Sequence, residues 1–324
     1  MHTQIRGIHH VTAMTSSAEK IYRFFTDTLG LRLIKKTVNQ DDIQTYHLFF
    51  ADDLGSAGTD MTFFDFPGIP QGTKGTNSIS RTSFRVKSDA SLDFWVDRFN
   101  EHRIDHGEIQ QRFGKKYLEF EDFDKQQYQL ISDENNYGVA SGTPWEKTDV
   151  VAEHALIGLG PVFVTVADFE HMQRVLVEVL GFKLVDAEGS FHLFEVGEGG
   201  NGGSIIVEHR DDLPEAQEGF GNVHHLALRV ADQDALRFWI NKINQLQFPN
   251  SGFVERFYFK SDYFRAAPHI LFELATDGPG FLEDETYEAA GEKLSLPPFL
   301  EGKRKEIEEF VRPFDTSDAN KIRQ

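Results

Sequence analysis

The sequence predicts an α+β protein built from four βαβββ modules in two tandem domains, each a curved mixed sheet enclosing a cavity. Three observations lead there. AEKIYRFFTDTLGLRL at residues 18–33 resembles FEHMQRVLVEVLGFKL at 169–184, and TYHLFFAD at Thr45–Asp52 resembles SFHLFEVG at Ser190–Gly197. A second pair, RTSFRVKSDASLDFWVDRF (Arg81–Phe99) and HLALRVADQDALRFWINKI (His225–Ile243), aligns at a constant offset of 144 residues. Each unit opens with an alternating strand, continues into a helix of about three turns judged by 3.6-residue periodicity, and ends in three strands set apart by Gly, Asp and Asn turns. The order of units is therefore A, B, A, B.

Taken along the chain, module one spans Ile5–Phe66, module two Ser80–Ser132, module three Leu156–Glu208 and module four Val223–Ala275. The expected domains are residues 1–135, carrying modules one and two, and residues 155–285, carrying modules three and four. Residues 136–154, rich in Asn, Gly, Ser and charge, read as the linker. The tail, residues 286–324, contains LPPFLEGKRKEIEEFVRPF, in which Ile307, Phe310 and Val311 predict a short helix docked on the body. The last ten residues are polar and are expected to fray.

Composition narrows the function. A chain of 324 residues has room for two cores, and 40% hydrophobic content with a mean hydropathy of -0.41 describes a globular protein. No apolar run approaches the ~20 residues that cross a bilayer. The opening MHTQIRGIHH lacks a basic-then-apolar leader pattern, so a cytoplasmic protein is expected. A net charge of -19, from 52 acidic and 33 basic residues, argues against nucleic acid or an anionic membrane as partner. A homo-oligomer is left open. The absence of cysteine excludes disulfides, thiolate nucleophiles and sulfur-ligated metals, leaving N and O ligands. Thirty phenylalanines and eight tyrosines supply cores and, in part, the lining of an apolar pocket.

Two doubled histidines concentrate the chemistry: GIHHVTAM at Gly7–Met14 and GNVHHLALRV at Gly221–Val230. Strand side chains alternate between faces, so parity separates each pair. Leu226, Leu228 and Val230 form an apolar face that takes His224 with it; His225, Ala227 and Arg229 form the other. In the first run His9 goes with Val11 and Ala13, and His10 with Thr12. His10 and His225 are thus expected to point into a common cavity. In PHILFELAT, Ile270, Phe272 and Leu274 leave Glu273 on the opposite face. Two histidines and a carboxylate are the donor set of a site for Fe(II) or Mn(II). The other nine histidines, His47 among them, read as packed or surface residues.

This arrangement resembles the vicinal oxygen chelate superfamily, which includes glyoxalase I, bleomycin-resistance proteins and extradiol dioxygenases. The repeat then shows where ligands survive duplication: His225 corresponds to Arg81 and Glu273 to Gln129 at offset 144, and His10 to Pro161 at offset 151. One site is expected, with modules one and four as spatial neighbours. More narrowly, GIHHVTA, VHHLAL, RFYFKSDYFR (Arg256–Arg265) and LFELATDGPGF (Leu271–Phe281) resemble the hydroquinone ring-cleaving dioxygenases. That resemblance implies iron held by His10, His225 and Glu273, with His9, His224, Thr12 and Arg256 around substrate and metal; Tyr263 sits in the same motif. It implies insertion of O2 into a hydroquinone or catechol ring, with His9 or His224 moving protons. The rival is a glyoxalase-like isomerase or thiol transferase with Zn(II) or Ni(II), in which Asp65 of TFFDFPG serves as a fourth ligand if it points inward; Phe63 or Phe64 lining the cavity is favoured instead. A lesser alternative is an aromatic-toxin binding protein.

Overall fold

The computed structural model describes residues 2–323. Module one contains β1 (Ile8–Met14), α1 (Ala18–Arg23), β2 (Arg32–Val38), β3 (Tyr46–Ala51) and β4 (Asp60–Asp65). Module two contains β5 (Ser78–Val86), α2 (Asp89–His102), β6 (Gln110–Arg112), β7 (Lys115–Glu121) and β8 (Gln127–Ser132). Module three contains β9 (Leu159–Val166), α3 (Phe169–Arg174), β10 (Lys183–Glu188), β11 (Phe191–Glu195) and β12 (Ser204–His209). Module four contains β13 (Val223–Val230), α4 (Gln233–Gln245), β14 (Val254–Glu255), β15 (Lys260–Ala267) and β16 (Ile270–Thr276). The tail adds α5 (Pro298–Glu301) and α6 (Arg304–Phe310).

Local chemistry marks the helix ends. Ser17, Asp168 and Asp232 accept from backbone amides in the first turns of α1, α3 and α4. Helices α1 and α3 both continue into a π-helical turn, Phe24–Thr28 and Val175–Val179, closed by bonds from Leu29 N to Phe24 O and from Leu180 N to Val175 O, each 3.0 Å. Gly30 and Gly181, the glycines of the two LG pairs, then take φ of 70° and 80° and release the chain into the next strand.

The strands form two eight-stranded sheets. The first runs β14-β15-β16-β13-β1-β4-β3-β2 and joins modules one and four; the second runs β10-β11-β12-β9-β5-β8-β7-β6 and joins modules two and three. The expected neighbourhood of the first and last modules is therefore observed. The boundary at 136–154 divides the sequence into halves but does not divide the sheets, because the antiparallel pairs β1–β13 and β5–β9 each cross it. In every module the first strand lies parallel to the last: β1 with β4, β5 with β8, β9 with β12 and β13 with β16. This places the first strands at the centre of each sheet.

One large core lies under the helices and takes the apolar face predicted by parity, Val11, Ala13, Leu226, Leu228 and Val230. A smaller cluster, including Phe49, Ala227, Phe259, Ala275 and Phe281, lies on the opposite, concave face of the first sheet. Phe25, on the π-helical turn, ties the two sheets together: its ring centroid is 4.9 Å from those of Phe50 and Phe63 and 6.0 Å from those of Phe84 and Tyr128.

The linker and tail are more tightly held than their composition predicts. Val139, Trp145 and Val150 of the linker are buried. The buried Arg32 guanidinium lies 4.6 Å from the Trp145 ring and 4.3 Å from that of Tyr287 and donates to Asn320 Oδ1 at 3.1 Å, so linker and tail meet on β2. Ile307 and Val311 are buried as expected, but Phe310 faces solvent. The final residues do not fray as far as residue 323: Tyr22 Oη and Arg23 bind Asp318 at 2.6 and 2.7 Å, and Thr316 and Ala319 are buried. Polarity here serves specific partners in place of water.

Phe25→Ala is expected to lower stability by ~3–5 kcal/mol through loss of the aromatic contacts on both sheets, read as a fall in the urea midpoint monitored by far-UV circular dichroism.

Candidate metal centre

The site begins with irregular pairing. Ile8 pairs with Leu228 and His10 with Ala227, so His9 is an extra residue on β1; Thr12 pairs with His225 and Ala13 with Val223, so His224 is an extra residue on β13. A bulge lets two successive side chains leave the strand towards the same side. Parity therefore fails for His9 and His224, which lie beside the cavity and not under the helices. His9 packs 5.4 Å from Phe259, as His10 does at 5.3 Å, and His224 lies 5.4 Å from Phe64. The second sheet carries matching irregularities at Ser80 on β5 and at Gly160–Pro161 on β9. The bulges thus belong to the duplicated fold.

His10, His225 and Glu273 converge, as expected, from three adjacent strands. Glu273 Oε2 lies 3.1 Å from His10 Nε2 and 3.0 Å from His225 Nε2, and the two nitrogens are 3.3 Å apart. All three residues are buried. Hydrogen bonding determines what these atoms present. His9 Nε2 is 3.1 Å from the Thr276 carbonyl, which can only accept, so His9 carries its proton there. Its Nδ1 must then accept from His10 Nδ1 at 2.9 Å, leaving a lone pair on His10 Nε2. Burial, then the neighbouring His10, pushes His9 down to about 3, which keeps that imidazole neutral. His225 Nδ1 makes the matching 2.8 Å contact with His224 Nδ1, without a carbonyl behind His224 to order it; with His224 accepting there, His225 Nε2 also presents a lone pair, and burial lowers His225 too. Ser261 Oγ donates to Glu273 Oε1 and leaves Oε2 without a hydrogen-bond donor.

Three lone-pair atoms thus face one another in a buried space, and a shared cation is what would offset their repulsion. Donors ~2.1 Å from one ion and at right angles are about 3.0 Å apart. The observed separations fit one face of such a shell, and the donor set of two imidazoles and a carboxylate suits a divalent transition metal.

Above the three donors opens a cavity of about 430 Å³, walled by Phe49, Phe64, Phe66 and Phe259. At its mouth Arg256 is clamped by exposed Asp41 at 2.7 and 3.1 Å, and its Nε donates to Tyr263 Oη at 3.2 Å. Arg256 follows β14 in a turn and is not part of a strand. Burial raises the Tyr263 phenol well above its usual range, so it stays protonated. Thr12 touches no ligand atom; its Oγ1 bonds Thr62 Oγ1 at 2.7 Å, which in turn bonds His47 Nε2 at 2.9 Å.

His47 and Ser261 are the site residues that the sequence reading passed over. His47 lines the cavity between Phe49 and Phe64, at 3.9 and 4.4 Å. The alternation of TYHLFFAD, with Tyr46, Leu48 and Phe50 in the main core, carried the signal for His47; that of KSDYFR, with Ser261 and Tyr263 on one face, carried it for Ser261. Asp65 is turned away: its Oδ2 accepts from Ala18 N at 2.9 Å. Thr62 holds the position that Glu273 holds in module four, since Thr12 pairs with Thr62 just as Ala227 pairs with Glu273. Phe63 joins the main core, and Phe64 lines the cavity.

Comparison with known proteins agrees with this architecture. Residues 7–130 match the family described as the glyoxalase/bleomycin resistance protein/dioxygenase superfamily. Over 315 residues, 96% of this chain and 99% of the relative, the sequence is 42% identical to the Bacillus subtilis protein named "Putative ring-cleaving dioxygenase MhqA". The chain belongs to this superfamily. A "Chlorohydroquinone/hydroquinone 1,2-dioxygenase" of Sphingobium indicum is 31% identical over 312 residues, 94% of this chain and 95% of its own. A Bacillus subtilis crystal structure of a "putative dioxygenase" superposes with a TM-score of 0.88 at 33% identity, covering 96% of this chain and 98% of that one. Glyoxalase I from Zea mays, at 12% identity and a TM-score of 0.59 over 84% of this chain and 92% of its own, shares the fold. The two curved sheets are thus the superfamily's vicinal oxygen chelate architecture.

His9→Ala removes the acceptor that orients His10, and metal affinity is expected to fall by about 10–100-fold, measured by titrating the metal-free protein with Mn(II).

Proposed function

We propose that the protein is a metal-dependent ring-cleaving dioxygenase that inserts O2 into a hydroquinone or catechol ring. The observation that carries this reading is the buried set of His10, His225 and Glu273 at the floor of an aromatic cavity; the names of the Bacillus and Sphingobium relatives support the choice of reaction. Fe(II), with Mn(II) as the alternative, held by these three residues would supply the redox-active centre that activates O2.

The chain's own residues divide the remaining work. Phe49, Phe64, Phe66 and Phe259 exclude water and hold the flat ring of the substrate. Both nitrogens of His9 are committed, to Thr276 O and to His10, so His9 positions a ligand and carries no mobile proton. His224 differs. Its Nδ1 faces His225, while its Nε2 has no hydrogen-bond partner among the described residues, and the side chain lines the cavity. His224 therefore holds a proton at Nε2 where a substrate oxygen gains negative charge. Arg256, oriented by Asp41 and Tyr263, stabilises the oxyanion or product carboxylate at the cavity mouth.

The isomerase alternative with Zn(II) or Ni(II) would gain Asp65 as a fourth ligand if that residue pointed inward, and Asp65 accepts from Ala18 N at the start of α1 instead. A toxin-binding protein would not need three buried donors converging on one point.

Oxygen uptake by anaerobically purified, Fe(II)-reconstituted protein tests the proposal with hydroquinone, methylhydroquinone and catechol. Uptake with loss of the aromatic absorbance is expected for at least one of them. Glu273→Gln is expected to reduce turnover by more than ~100-fold while the circular dichroism spectrum is unchanged. No uptake with any of the three by protein shown to contain iron would remove the proposal.

A further inference from the structure

The second sheet repeats the cavity of the first without its ligands. Arg81 stands where His225 stands, Gln129 where Glu273 does, and Pro161 where His10 does. No three metal donors meet there among the described residues. The same offset of 144 sets Arg112 on the position of Arg256 and Glu119 on that of Tyr263. Gln129 and Pro161 line a residual space of only about 20 Å³, but a space of about 330 Å³ lined by Arg81 persists next to it, with Arg112 shared by both, compared with about 430 Å³ in the first sheet.

Its charge differs from that of the molecule as a whole. Four cationic side chains, Lys74, Arg81, Arg112 and Arg210, line it against the carboxylates of Glu119 and Glu208, in a chain of net charge -19. Three of the cations have partners: Arg81 pairs with Glu119 at 2.8 Å, Arg210 with Asp212 at 2.7 Å, and Lys74 donates to Asn222 Oδ1 at 3.1 Å. Arg112 makes no ion pair among the described residues, and its Nη1 is buried without a hydrogen-bond partner. Its guanidinium lies 4.0 Å from the centre of the Phe191 ring and 4.7 Å from that of Tyr117. Aromatic rings engage a guanidinium through its flat face, which leaves the N–H edge as the part that can bind an anion in a two-pronged manner.

We infer that this cavity is a second, metal-free binding site for a small aromatic carboxylate. The carboxylate bonds the Nε–Nη2 edge of Arg112, the Nη1 atom being buried, and is drawn by Arg81 beside it; the ring packs against Phe191 and Leu213, which line the same space. A planar monoanion satisfies both the excess of cations and the apolar wall, whereas an inorganic anion uses only the first. The inference rests on the duplicated sheet and does not depend on the reaction proposed for the other cavity.

Isothermal titration of the full-length, metal-free protein with 4-hydroxybenzoate at low ionic strength tests it, with thermal unfolding of each variant as a check on folding. One site is expected, weakened at least tenfold in Arg112→Gln and unchanged in Glu273→Gln and Arg256→Gln. Phe191→Ala provides a second route should Arg112→Gln fail to fold, and is also expected to weaken binding. No binding up to millimolar ligand would overturn the inference, as would binding lost in Arg256→Gln but kept in Arg112→Gln or Phe191→Ala, which places the ligand in the first cavity. Inorganic phosphate that displaces 4-hydroxybenzoate at equal concentration would overturn the aromatic specificity.

Discussion

The antiparallel pairing of β1 with β13 is the constraint on which the rest depends. It joins residues more than 200 positions apart, brings the first module against the last, and carries two bulges that interrupt its own ladder. Each bulge leaves one residue extra, and each extra residue is the first histidine of a doubled pair. Without the pairing, His10 and His225 have no common cavity; without the bulges, His9 and His224 would lie under helices and could not hold the imidazoles of His10 and His225 by their Nδ1 atoms. The matching irregularities at Ser80 and at Gly160–Pro161 show that the second sheet keeps this geometry where Arg81 and Pro161 stand in place of the two histidines. Chemistry here occupies a backbone feature that the fold repeats.

The electrostatics of the centre follow from that backbone. A main-chain carbonyl, Thr276 O, orders His9, His9 orders His10, and His10 turns a lone pair inward. A carbonyl only accepts, and a neutral imidazole has one donor and one acceptor, so the order of protons along this chain is fixed. Burial supplies the neutrality, since desolvation opposes the charged form. Ser261 does the same for Glu273 by occupying one carboxylate oxygen and leaving the other directed at the histidines. The apolar cluster with Phe49, Phe259 and Phe281 packs against these groups, the Phe259 ring lying 5.4 Å from that of His9 and 5.3 Å from that of His10.

Outside the site, polar segments gained structure that composition does not announce. Arg32 gathers linker and tail through Trp145, Tyr287 and Asn320, and Asp318 gathers the chain end through Tyr22 and Arg23. A polar stretch reads as frayed when its partners are far away in sequence; here those partners sit on module one, and only the folded chain brings them together.

Legible along the chain were the modules, the apolar faces of β1 and β13, and the convergence of His10, His225 and Glu273. Each of these depends on local periodicity, or on a repeat within the chain, and both are written along the sequence. Four things came only with the folded chain. Beyond the expected neighbourhood of modules one and four, it joined modules two and three in a second continuous sheet, so that sheets and sequence halves do not coincide. It placed His9 and His224 beside the cavity, because a bulge shifts parity by one residue and no residue pattern announces it. It assigned Asp65 to the start of α1 and Thr62 to the position opposite Glu273, a matter of register between strands that are distant in the chain. It also gave His47 its partners: alternation sets this residue on the face away from Tyr46, Leu48 and Phe50, but only the pairing of β4 with β3 lays Phe64 and Thr62 against it.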